Sequence, residues 1–189
     1  MTSSADNWRR LEGFAYFAGF AGSIPVANWM LGNLGTICPA DGPCLIPVAP
    51  GIMAPSGVIM IGLALVLRDL VQRRLGIYWA IVAILIGGAL SWAVAPPFLV
   101  VASVTAFLVS EFADLAVYTP LQKRGLVLAV VASSIVGLVF DSFIFLQMAF
   151  GSLDFLTGQI IGKSWMVIIS IPVIAFIRRR DERLGIEAV

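Results

Sequence analysis

Five charged residues, Asp69, Glu111, Asp114, Asp141 and Lys163, stand inside long apolar runs of this 189-residue sequence, with Asn28 and Gln159 as uncharged polar companions. A charge at mid-bilayer costs at least about 2.5–3.5 kcal/mol on insertion scales, so such residues are candidate functional groups by default. Their spacing groups them. Ser110, Glu111 and Asp114 share one sector of a helix, and Tyr118 continues it one turn on. Ser134, Gly137 and Asp141 follow at i, i+3 and i+7 as a small, polar stripe. Gln159 and Lys163 are four apart, beside the small-xxx-small pair Gly158 and Gly162, which lets a neighbouring helix approach closely. A carboxylate accepts adjacent N–H donors, and a lysine or an amide donates to a carbonyl. Two acids on one sector with no cation on their own helix suit a proton-linked step. The candidate binding residues are therefore Asn28, Glu111, Asp114, Asp141, Gln159 and Lys163, with Asp69 and Tyr118 as candidates for coupling or gating. Each has a plainer reading. Asp69 beside Arg68 reads also as an interfacial ion pair at a helix end, and Asp141 with Lys163 reads also as a bridge that only neutralises two buried charges.

The elements that carry these residues follow from composition. The chain is 60% hydrophobic and 12% charged, against about 45–50% and 25% in ordinary soluble domains. It is expected to be one all-α integral membrane domain over residues 1–189. Six apolar runs are long enough to cross a bilayer: 13–34, 54–75, 77–95, 98–118, 126–150 and 155–177. They are continuous rather than alternating, which argues against a barrel. Helices satisfy their own backbone in lipid. Eleven of the twelve basic residues fall at alternate ends of these runs: Arg9 and Arg10, then Arg68, Arg73 and Arg74, then Lys123 and Arg124, then Arg178, Arg179, Arg180 and Arg183. That is the positive-inside pattern, with both termini in the cytoplasm. The first run lacks a small-residue cleavage signature and is expected to be a retained helix rather than a signal peptide. Counting about 1.5 Å per residue from the external ends places Asp141 and Lys163 each about 12–14 Å down, able to face one another. Asp69 and Glu111 each fall about 21 Å down, with Asp114 nearer the cytoplasm, so the acids form a ladder from the outer third to the inner boundary.

The longest connection, 35–53, holds four prolines and the only two cysteines, Cys38 and Cys44. Outside a bacterial inner membrane these thiols could form a disulfide or stay as two small unpaired residues. Without histidine or a third cysteine they do not complete a metal set. The charge balance of 12 basic and 11 acidic residues gives no basic face for nucleic acid. With no histidine and no assignable pair of nucleophile and base, the chain is not expected to be an enzyme, and no cofactor or metal is implied. Trp8, Trp29, Trp79, Trp92 and Tyr78 sit where interfacial aromatic belts are expected. Phe140, Phe143 and Phe145 read as packing, and Trp165 points away from Lys163.

In order, spacing and placement, four strings resemble the vitamin uptake transporter family, also called the queuosine precursor transporter family, of small six-helix inner-membrane proteins. They are GLALVLRDL around Asp69, SEFADLAVY with Glu111 and Asp114, ASSIVGLVFD ending at Asp141, and GQIIGKSW with Lys163. The resemblance runs from Asn28 to about Ile171. It departs at Glu111, where members often carry Gln, and in a shorter amino-terminal segment and shorter connections. An amide there would read a ligand without charge, whereas a carboxylate adds one and demands a different partner. The resemblance implies uptake of a 7-deazaguanine such as 7-cyano-7-deazaguanine, a small-molecule partner beside the lipid bilayer. An acid would read the adjacent N–H and amino groups, Lys163 or Asn28 the ring carbonyl, and an aromatic would stack on the heterocycle. Other readings stay open: another small heterocycle or vitamin, a capture subunit for an ATP-driven module, since no P-loop is encoded here, or a structural or partner-binding membrane protein whose charges are helix glue. The coupling ion and whether the chain acts alone or as a homo-oligomer are likewise open.

Overall fold

Helices dominate because the apolar runs are long and uninterrupted. The computed structural model describes residues 2–40 and 42–185, so Asp41 and both chain ends lie outside the described residues. The elements are α1 (Thr2–Asn33), a hairpin of β1 (Leu45–Ala49) and β2 (Ile52–Pro55), α2 (Val58–Leu75), α3 (Ile77–Val94), α4 (Val100–Leu121), α5 (Leu126–Phe150) and α6 (Leu156–Leu184). Four of the six helices, α3 to α6, are long and apolar enough to cross a membrane. The last two turns of α2 carry Arg68, Asp69, Arg73 and Arg74, which keeps it outside that set.

Polar residues lie inward and apolar ones outward. Phe176 on α6 is 66% exposed and Trp92 on α3 64%, whereas Arg68 and Asp69 are fully buried. Ile168, Ile169 and Val173 continue the exposed apolar face of α6. Such a surface is stable where lipid covers it, since lipid removes the cost of exposing hydrocarbon to water. Helix α2, which carries Arg68 and Asp69, sits centrally between two hydrophobic cores. On one side Phe20, Ile24, Ala83, Ile84 and Phe107 pack on Ala64 and Val71. On the other Val130, Val167, Ile174 and Ile177 pack on Val66 and Leu70.

The expected second crossing from Ala54 starts four residues late, at Val58, because Ile52–Pro55 pairs with Leu45–Ala49 as an antiparallel hairpin. Pro50 and Gly51 form its turn, and Gly51 supplies the positive φ of 73° that a side chain resists. Pro47 is tolerated where the register shifts. The segment before the hairpin is stapled by a disulfide between Cys38 and Cys44. Cys44 is also anchored through its backbone, its N–H donating to Leu31 O at 2.8 Å and its carbonyl accepting from Ser56 N at 2.9 Å. Helix α1 starts well before the expected residue 13, α4 takes Pro120 into its last turn, and α6 runs past Ile177 to Leu184.

Candidate functional site

Glycine brings the helices of the site together. On α6, a side chain at Gly162 would collide with Val58 of α2, and one at Gly158 with the backbone of Met53 in β2. On α2, a Cβ at Gly62 would lie 2.6 Å from the carbonyl oxygen of Lys163. The small-xxx-small pair thus works as expected, and it seats α6 against α2 and the hairpin. Trp165 turns away from Lys163, and its indole N–H donates to Val48 O of β1 at 2.9 Å.

This packing buries Lys163, whose ammonium donates to Asp141 Oδ2 at 2.5 Å, Gln159 Oε1 at 2.6 Å and Ser142 Oγ at 2.8 Å. An ammonium has three protons, and all three are engaged. Asp141 and Lys163 therefore meet. They open, with Gln159 and Asn28, onto a cavity that Ser91 and Ser103 also line and that Phe107 and Phe145 flank. Asn28 donates from Nδ2 to Ile24 O at 3.0 Å, and its buried Oδ1 has no hydrogen-bond partner. Phe145, expected only to pack, is part of the wall.

A second cluster lies further along the same helices, away from the hairpin. On α4 Glu111 follows the cavity residue Phe107 by one turn, and on α5 Gly137 and Ser134 precede Asp141 by one and two turns. Arg68 of α2 stands in the middle of this cluster. Its Nε donates to Glu111 Oε2 at 3.1 Å, Nη1 lies 2.8 Å from Asp69 Oδ1, and Nη2 donates to Asp114 Oδ1. Ser133 donates to Asp69 Oδ2 at 2.7 Å, and Gln72 joins the cluster to Thr119 at 3.1 Å. The Tyr118 ring packs over Arg68 at 5.9 Å, and its hydroxyl has no partner. A Cβ at Gly137 would sit 2.8 Å from Leu65 Cδ2 and 3.1 Å from Asp114 Oδ2, so glycine there lets α5 lie close against that acid.

The expected ladder is thus two clusters. Asn28, Asp141, Gln159 and Lys163 line the cavity, whereas Asp69, Glu111, Asp114 and Tyr118 gather on Arg68 outside its lining. The sequence reading counted Arg68 with the basic residues of a connection; the structure corrects this. Depth counting that put Asp69 near mid-membrane applied equally to its neighbour and would have found it. The cation that Glu111 demands comes from α2, as does the one for Asp114. Ser133 and Ser142 were also missed, because a lone serine in an apolar helix carries no signal until its partner is placed.

At the far end, Asp181 accepts from Arg73 Nε and Nη2 at 2.9 and 2.8 Å and from Arg74 Nη1 and Nη2 at 2.9 and 2.8 Å. Arg180 holds Glu12 with two bonds of 2.5 and 2.6 Å, tying α6 to α1. Burial pushes the Asp181 carboxyl up, but the bonds from Arg74 and Arg73 outweigh it and hold the carboxyl below its usual range.

Residues 89–177 match the model of a family described as "Putative vitamin uptake transporter", the family that the four strings resemble. That match covers α4, α5 and most of α6, including Glu111, Asp114, Asp141, Gln159 and Lys163. No curated protein and no solved structure matches the chain.

Proposed function

We propose, from the match of residues 89–177 to a vitamin uptake transporter family, that the chain is a six-crossing importer of a 7-deazaguanine such as 7-cyano-7-deazaguanine. It acts as one domain in a bacterial inner membrane with both termini cytoplasmic. Two observations support the orientation. Arg73, Arg74 and Arg180 meet Glu12 and Asp181 at the end opposite the hairpin, as the positive-inside rule requires of a cytoplasmic face. The disulfide at the hairpin end suits an oxidising compartment.

The observation that carries the substrate reading is the cavity itself. Asp141 is half of an ion pair, yet only its Oδ2 is engaged by Lys163, and its carboxylate faces open space beside the unpaired Asn28 Oδ1. A guanine-like edge offers an N–H and an amino group side by side, which a carboxylate accepts together. Lys163 then orients and neutralises Asp141 rather than touching ligand, so the ring carbonyl falls to the Gln159 or Asn28 amide or to Ser91 or Ser103. Phe107 and Phe145 provide apolar surface for the heterocycle. Charges serving only as helix glue would have no reason to border a cavity.

The test uses bacteria that neither make 7-deazaguanines nor import them, expressing the native chain or Asp141→Asn. After feeding nanomolar 7-cyano-7-deazaguanine, queuosine in their transfer RNA is quantified. Native protein is expected to restore it, and the variant, present in the membrane at equal level, is not. Well-expressed native protein that restores nothing sinks the deazaguanine assignment.

A further inference from the structure

The cluster around Arg68 does not balance in charge. One guanidinium meets three carboxylates, on Asp69, Glu111 and Asp114, and none of the four side chains is more than 2% exposed. Fully ionised, the group would bury two uncompensated negative charges, and even one unpaired ion costs several kcal/mol in such surroundings. Among the described residues no cation other than Arg68 forms an ion pair with these three acids. The groups that face it are Gln72 from α2, Tyr118 and Thr119 from α4 and Ser133 from α5. Asp141 adds a further negative field at Glu111, and Arg73 a positive one at Tyr118.

Two more observations point to what fills the deficit. Asp69 and Asp114 converge on the two terminal nitrogens of one guanidinium, Arg68 Nη1 and Nη2, which brings the two carboxylates together. Two buried carboxylates so placed repel each other when both are ionised, and a proton on one lets it donate to the other. Asp114 Oδ2, moreover, is buried without a hydrogen-bond partner among the described residues, and so is the Tyr118 hydroxyl. Among the described residues no group of acids is arranged to hold a metal ion, and Arg68 already occupies the point on which these three converge.

We propose that the Arg68 cluster is a proton-binding site, in which Asp69 and Asp114 share a proton, and that this proton is the coupling ion of transport. The second half rests on the transport reading above; the first does not. The site is placed for coupling. Glu111 is one turn from Phe107 in the cavity wall, and Gly137, which admits Asp114 to α5, is one turn from Asp141. A shift of α4 or α5 that accommodates substrate therefore moves the acids relative to Arg68 and changes how many protons they hold.

Two measurements test this. Infrared spectra of the purified protein at pH 7, without substrate, are expected to show the carbonyl stretch of a protonated carboxyl. It should weaken in Asp69→Asn and in Asp114→Asn and stay unchanged in Glu182→Gln, whose carboxyl is exposed and paired with Arg178. In proteoliposomes, an outward-acidic gradient is expected to raise the initial uptake of 7-cyano-7-deazaguanine several-fold over no gradient, an enhancement lost in Asp114→Asn. Folded native protein without the infrared band, or variants that retain it at full strength, overturns the proton site. A band with uptake that follows sodium, or neither ion, overturns the coupling. A band without any uptake leaves the proton site standing and counts against the substrate reading instead.

Discussion

Lys163 commits every N–H donor it has to protein, on residues from two helices, and that fixes what a substitution there should do. Removing one partner of a buried pair leaves the other charge uncompensated, at about 3–5 kcal/mol. Asp141 borders the cavity, where water can reach its carboxylate, so Lys163→Met should fall at the low end, about 3 kcal/mol. Adding Asp141→Asn should recover part of that loss, because the stranded charge goes with it. Thermal unfolding in detergent of the two single variants and the double variant measures the coupling, and strictly additive losses would contradict an interacting pair. The meeting of Asp141 with Lys163 was legible in the sequence, since the rise of a helix converts residue number into depth. Arg68 was not, because its neighbours Arg73 and Arg74 make the same stretch look like an ordinary basic connection.

At the scale of elements, the distance between α2 and α6 is set by glycine. Gly62→Ala would place a methyl 2.6 Å from Lys163 O and 2.9 Å from its Cα, both backbone atoms that cannot swing aside. The helices must separate, at about 1–3 kcal/mol for overpacking. The same displacement moves Lys163 relative to Asp141, so ligand affinity should fall with stability, whereas at Gly22, where a methyl meets nothing within 4 Å, alanine should change neither. Ligand binding and thermal unfolding of both variants check this. The pairing of Gly158 and Gly162 with a close neighbour could be read in advance, but not that one neighbour is a hairpin. The Pro50-Gly51 turn signal was present. It does not by itself announce a hairpin, because the flanking strands are only five and four residues long, in a chain whose long apolar runs are helical.

For the molecule as a whole, the ends are held differently. The hairpin end is stapled covalently, and the opposite end by charge, through Asp181 on Arg73 and Arg74 and Glu12 on Arg180. The Asp181 carboxyl titrates lower in the folded protein than in the unfolded chain. Its contribution is therefore complete above the ordinary carboxylate value of about 3.9 and is lost as pH falls through the lower folded value. Asp181→Asn should lower the melting temperature at pH 7, by on the order of 2 kcal/mol in stability, and flatten its decline below about pH 4. Reduction of the disulfide should not alter that pH profile. The clustering of basic residues at one end was plain from the sequence, because it depends only on where the runs begin and end. Their pairing with Glu12 and Asp181 was not, since it joins residues far apart in the chain.

The central place of α2 bears also on how the protein is made. A segment with Arg68 and Asp69 in its apolar stretch faces about 2.5–3.5 kcal/mol for each charge on entering lipid alone. Two of the acids that compensate Arg68 lie 43 and 46 residues later, on α4. During synthesis α2 emerges before they exist. In the six-crossing reading proposed above, Arg68 has only Asp69 of its own helix to pair with until α4 arrives, so the seating of α2 in the bilayer is completed only once the second half of the chain has been made.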